Sequence, residues 1–224
     1  MIYIFHHLGL GDHIICNGLV RSLIQSNLEY TLFCRPQYLN SVKSMYNDLT
    51  NLSFKDGCDN SINSFLSNID NNNKILIGFQ YTPENYSWDE YFYKQHNVPF
   101  IKRWENFKIH RNIKDEIELY NKLNPDNSKY ALVHSSGSDG KDRIDYSKIN
   151  SNLKIIKVSP EHTDNIFNYL ELIYKADEIH CVESCFNVLV DSLPLEVKLF
   201  YHKSHNQRSI EKNQHKLNKP WIII

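Results

Sequence analysis

Glycine is scarce in this chain, 7 residues in 224, so each placement carries information. No stretch reaches the roughly 18 apolar residues that a transmembrane helix needs. The opening run "MIYIF" has no basic region before it and breaks at His6-His7-Leu8-Gly9, which argues against a signal peptide. Neither sign of charge is in excess: 25 Lys and Arg face 26 Asp and Glu, for a formal net charge of -1. That balance argues against a nucleic-acid partner and limits any membrane contact to a peripheral one. The cysteines number 5, odd and scattered, and Cys181 and Cys185 lack CxxC spacing. Free thiols in a reducing, cytoplasmic compartment follow as the expectation.

Several reaction motifs are missing as well. There is no GxSxG elbow, no cysteine-phosphatase loop around "CVESCFN", and no DxD flanked by an apolar strand. His6, His7 and His13 lie in or beside a strand rather than on one helix face, so no zinc site is expected.

What is present is a repeated alternation. Residues 2–7, 30–35, 52–56 and 74–79 read as strands, separated by helical patterns at 12–26, 37–49 and 60–69. Residues 80–128 break the rhythm with aromatics, charges, Pro83 and Pro99, before an acidic-first helix at 112–123. "NPDNSK" at 124–129 is turn chemistry and marks a linker. The alternation then restarts, with strands at 130–136, 153–159, 178–184 and 197–202 and helices at 164–176 and 185–193. These patterns predict an α/β protein of two Rossmann-like parallel-sheet domains, 1–125 and 126–224, facing a cleft. The aromatics Tyr81, Tyr86, Trp88, Tyr91, Phe92, Tyr93 and Trp104 read first as core and domain packing, with sugar stacking as the alternative.

The stretch "HHLGLGDHII" (6–15) sits where the first strand turns into the first helix. Gly9 and Gly11 allow a sharp turn and close backbone approach to a ligand, and Asp12 stands at or beside the helix cap. Helix capping alone would use the same residues. A dinucleotide fingerprint fails at its third glycine, where Ile14 stands.

"HLGLGDHIICNGLVRSL" resembles the amino-terminal signature of GT-B glycosyltransferases of the heptosyltransferase type (family 9-like). Two later segments are similar to the donor side of that family. "VHSSGSDGKDR" (133–143) offers hydroxyls and cations, without the Pro and Trp usual there, and "ADEIHCVESCFNVLVDSL" (176–193) runs strand, acidic-hydroxyl turn, helix, with Cys185 in place of glycine. The resemblance implies a compact GT-B-like fold and a sugar transferase acting on a nucleotide diphosphate sugar and a glycan or lipid-linked acceptor. It makes Asp12 the general base. His6, His7 and His13 are rival bases on the ordinary pKa of histidine alone, ranked below Asp12 because a lone histidine is more often a satisfied structural residue. Gly9, Gly11, His13, Ser135, Ser138, Lys141, Arg143, Glu183, Ser184 and Asn187 are the implied substrate contacts. Inverting transfer without a metal or other cofactor is the expected chemistry, with cations and helix-end dipoles taking up the leaving diphosphate. At 224 residues the chain is short for that fold, which keeps open a non-catalytic nucleotide-sugar-binding protein or a subunit of a larger transferase.

Overall fold

The computed structural model describes residues 1–137, 139–203 and 216–224. It divides into two compact units: Met1–His110 together with Lys216, and a second that begins at Arg111 and includes Leu217–Ile224. The boundary thus precedes the turn at 124–129. The intervening helix belongs with the second unit because Leu119 and Tyr120 are buried there, Tyr120 against Tyr130 at 6.4 Å.

The first unit is a parallel sheet of β1 (Ile2–Phe5), β2 (Tyr30–Cys34), β3 (Leu52–Asp56) and β4 (Lys74–Leu76), in the order β3-β2-β1-β4. "YTLFC" is apolar along its length because β2 is interior to the sheet and buried throughout. The crossovers carry α1 (Leu10–Leu23), α2 (Leu39–Tyr46) and α3 (Asp59–Ser67). Phe5, Leu8, Phe33, Ile62 and Leu66 form a core cluster under α3.

The irregular middle supplies α4 (Trp88–Gln95) and α5 (Lys102–Glu105), neither of which the sequence pattern specified. Both serve to bury α1. Gly18 sits so tightly against the Lys102 carbonyl that a Cβ would overlap it. The buried Tyr93 hydroxyl accepts from the Leu19 N–H at 3.1 Å and donates to the Ile15 carbonyl at 2.7 Å, spanning one rung of the α1 ladder. Arg103 and Asp89, both fully buried, form an ion pair; Asp89 also accepts from the Lys216 N–H at 2.9 Å. Phe92 and Tyr93 are therefore core residues, whereas Tyr81 is 81% exposed.

The second unit holds α6 (Ile113–Leu123), β5 (Tyr130–His134), β6 (Lys154–Lys157), α7 (Leu170–Lys175), β7 (Glu178–Cys181), α8 (Cys185–Ser192), β8 (Lys198–Tyr201) and β9 (Ile222–Ile223). All pairings are parallel, in the order β6-β5-β7-β8-β9. The economy of length shows in the β5–β6 crossover, whose described residues form a single 3₁₀ turn, Tyr146–Lys148, instead of a helix. Ile144 and Ile149 of that segment cover Ala131, Val133 and Val182. Beneath it runs a directional chain: the Asp145 N–H donates to His202 Nδ1 (3.1 Å), His202 Nε2 pairs with His180 Nδ1 (2.9 Å), and His180 Nε2 with Glu178 (3.3 Å). The tail strand β9 was not legible as a strand. Its docking depends on buried Asp191, which accepts from the Asn218 and Lys219 N–H groups and from Trp221 Nε1 at 3.0 to 3.2 Å.

Candidate active site

Each sheet has one point where the strand order reverses. In the first unit it lies between β1 and β4, in the second between β5 and β7. Open parallel sheets bind ligands outside the carboxyl ends of the strands at such points. Both sequence motifs fall there.

At the β1 end, Gly9 is the N-cap of α1 and Asp12 the third helical residue. Gly9 has no capping side chain, so Asp12 reaches back instead. Its carboxylate accepts from the Gly9 N–H and from its own, the N3 half of a capping box. The Asp12 side chain is partly buried, and that burial raises its pKa to about 6. His7 and Arg35 act in the opposite direction, as do the two N–H donors. Asp12 therefore changes charge close to neutral pH, a useful property in a general base. Gly11 is the second residue of the helix and half-buried.

His13 does not face this site. It is fully buried, its ring edge-on to His6 at 4.3 Å, because its position lies on the core side of α1. Substrate contact by His13 is therefore withdrawn. Burial also lowers His6 to about 4 and His13 well below the usual histidine range, so neither is a suitable base at neutral pH. His6 Nδ1 lies 2.5 Å from the His7 carbonyl. The exposed one of the three is His7, whose Nε2 lies 3.0 Å from the carbonyl of Gly78, two residues beyond β4.

In the second unit, the loop after β5 and the turn after β7 touch. A Cβ at Gly137 would stand 3.2 Å from the Glu183 carbonyl and 3.6 Å from Arg143 Nη1. The two segments that resemble a donor site are thus neighbours. Ser184 caps α8, its Oγ accepting from the Asn187 N–H at 3.2 Å and donating to the Val182 carbonyl at 3.1 Å. Glu183 is half-buried, which raises its pKa. Ser135 is half-buried at the strand end, and its carbonyl accepts the Arg143 N–H at 2.8 Å. Lys141 is exposed, with its N–H on Asp139 at 3.2 Å. Arg143 is already ion-paired with Asp139, Nη1 to Oδ1 at 2.8 Å. Asn187 is fully buried on the core face of α8, so ligand contact by its side chain is also withdrawn. Ser138 lies outside the described residues.

A search of solved structures matches the chain to an ADP-heptose LPS heptosyltransferase II of E. coli, with a TM-score of 0.53 and 10% identity. The alignment covers 100% of this chain and 90% of that one. The fold is GT-B-like. No protein-family model matches the sequence, and no curated protein does.

Sequence reasoning ranked His7 with the structural histidines and passed over Gly78. A pointer existed in "IGF" (77–79), where a glycine ends a strand, but its partner lies 71 residues away. Among the described residues, no three His, Cys, Asp or Glu side chains converge as metal ligands, and no helix is long and apolar enough to cross a membrane.

Proposed function

We propose that this protein is a glycosyltransferase that moves a sugar from a nucleotide diphosphate donor to a hydroxyl of a glycan or lipid-linked acceptor, with inversion and without a metal. One observation carries the reading: the Gly9–Asp12 turn and the Gly137–Glu183 contact each occupy the switch point of their own parallel sheet. The heptosyltransferase-like fold supports it.

In the proposed reaction the acceptor oxygen attacks the anomeric carbon while Asp12 takes its proton. The bond from that carbon to the diphosphate oxygen breaks from the opposite face. The departing diphosphate carries the negative charge, and the cations Lys141 and Arg143 together with the N–H groups at the start of α8 stabilise it. Arg143 exchanges its Asp139 partner for phosphate oxygens in this scheme, since both are acceptors for the same guanidinium fork. Glu183 accepts from donor hydroxyls. Ser135, Ser138 and Ser184 contribute hydroxyls, and the cytoplasm is the compartment where such donors are available.

Thermal-shift measurements with UDP, GDP, ADP, CDP and dTDP identify the nucleotide, because a bound ligand raises apparent stability by mass action. With that donor class, Asp12→Asn removes turnover while leaving donor affinity within a few fold. Equal loss of both contradicts the base role. Nucleotide-sugar binding by a protein that gives no product in a single-turnover assay with any acceptor identifies a binding protein or a subunit instead.

A further inference from the structure

The strap at 145–150, which stands in for a crossover helix between β5 and β6, has its two outer N–H groups taken by one continuous set of side chains. The Asp145 N–H donates to His202 Nδ1 at 3.1 Å, and the Asn150 N–H to Glu178 Oε2 at 3.4 Å. Between these ends lies the buried ring of His180. Its Nδ1 is 2.9 Å from His202 Nε2, and its Nε2 is 3.3 Å from the same Glu178 oxygen.

A backbone N–H only donates, so the hydrogens of the set are assigned by its first link. His202 Nδ1 is bare, and its Nε2–H donates to His180 Nδ1. His180 Nε2–H then donates to the carboxylate. Both rings are neutral, and an added proton has no free place. On His202 it occupies Nδ1 and faces the Asp145 N–H. On His180 it occupies Nδ1 and points at His202, whose own hydrogen must move from Nε2 to Nδ1. In both cases the Asp145 N–H loses its acceptor.

Among the described residues, the groups around the rings come from four elements. Glu178 on β7 favours charge on His180, and Asp145 on the strap favours it on His202, while His180 opposes it there. Lys148 of the strap acts on Asp145. On β8, Lys198 is the register partner of Glu178 and is exposed, and the uncharged ring of Phe200 stacks on His180 at 4.4 Å. On β5, apolar Ala131 and Val133 stand in register with Glu178 and His180. Burial outweighs the two carboxylates, holding His202 at about 4 and His180 below the ordinary histidine range.

We propose that Glu178, His180 and His202 form a proton-sensitive latch: neutral, they fasten the strap 145–150, and one added proton frees it at Asp145. The strap begins two residues after Arg143, and the Ile144 N–H between them donates to the Asp142 carboxylate at 3.1 Å. The latch therefore holds the carboxyl end of the loop at 135–143.

Amide hydrogen exchange of the full chain, corrected for the intrinsic effect of pH, reads the latch. Open, His202 takes up a proton at the ordinary 6.5, and closed at about 4, so protection of the Asp145 N–H falls about twentyfold from pH 7 to pH 5. The Val158 N–H, bonded to the Val133 carbonyl at 2.8 Å, reports opening of the sheet and stays the better protected of the two. Ring ¹⁵N spectra at pH 7 show the hydrogen on Nε2 of both His180 and His202. His202→Asn offers Oδ1 to the same N–H and cannot charge, so Asp145 stays protected and the decline disappears. Glu178→Gln keeps an oxygen for both of its donors and removes the charge that favours a proton on His180, so the decline moves to lower pH.

A flat Asp145 profile overturns the latch, as does protection equal to that of Val158 at every pH, hydrogen on Nδ1 of either ring, or a decline that persists in His202→Asn. If His202→Asn does not fold, Glu178→Gln decides, and an unmoved profile overturns the proposal. The exchange readout needs no donor. Its failure sinks the latch and leaves the glycosyltransferase reading, while failure of every nucleotide diphosphate to bind does the reverse.

Discussion

Gly9 and Asp12 are so close that a Cβ on residue 9 would stand 2.5 Å from the Asp12 carboxylate oxygen Oδ2. The obstacle is the far end of a side chain, so Gly9→Ala pushes the carboxylate aside and leaves the backbone in place. Gly at an N-cap differs from Ala by up to about 1 kcal/mol. The expected result is a melting temperature changed by a few degrees with turnover reduced at least tenfold. Activity that survives while the fold is kept shows that the Asp12 position does not matter.

Gly18→Ala behaves in the opposite way. In an exposed helix the change would gain about 1 kcal/mol. Here the added methyl meets the Lys102 backbone carbonyl, which no rotamer can move. Overpacking of this kind costs about 1–3 kcal/mol or more. Urea denaturation should show a net loss, and a stabilised variant would mean that α5 is not seated on α1.

Asp89→Asn leaves the Arg103 guanidinium buried without its counter-ion. Removing one partner of a buried pair costs about 3–5 kcal/mol, whereas replacing both by apolar residues often costs little. Denaturation of Asp89→Asn and of Asp89→Leu/Arg103→Met should show that ordering. Equal losses would assign the stability to packing alone.

Acid should destabilise the protein. His6 is held at about 4, below the ordinary 6.5, because burial disfavours its charged form, and burial lowers His13, His180 and His202 too. Above pH 6.5 neither the folded nor the unfolded state charges these rings. Below it the unfolded chain takes up protons that the native state refuses, so stability falls as pH drops from 6.5 toward 4. For His6 alone the full effect is about 3 kcal/mol. Melting temperatures measured across pH 7 to 4 should decline, with a shallower slope in His6→Gln. A flat profile would mean that these rings are not buried as neutral species.

Much of the fold was legible because strands and helices here follow local patterns. The run "YTLFC" is a strand wherever it is placed in a sheet, and the match of 52–56 to β3 needed no tertiary information. The middle was not legible. "WDEYFYKQ" shows no clean apolar stripe, because Tyr93 is used for a hydroxyl contact across a rung of α1 rather than for a face of its own helix.

The sequence by itself determined two parallel αβ repeats and the strand-end turns that carry Asp12 and Glu183-Ser184, since period and turn chemistry are properties of neighbouring residues. Tertiary structure decided which polar residues face outward. His13 and Asn187 share their turns with Asp12 and Ser184 yet point into the core, and Asp12 came to rest over a bare glycine cap. The physical reason is distance along the chain. Burial raises the proton affinity of Asp12, and the groups that meet a strand-end turn, such as the Gly78 carbonyl against His7, lie dozens of residues away.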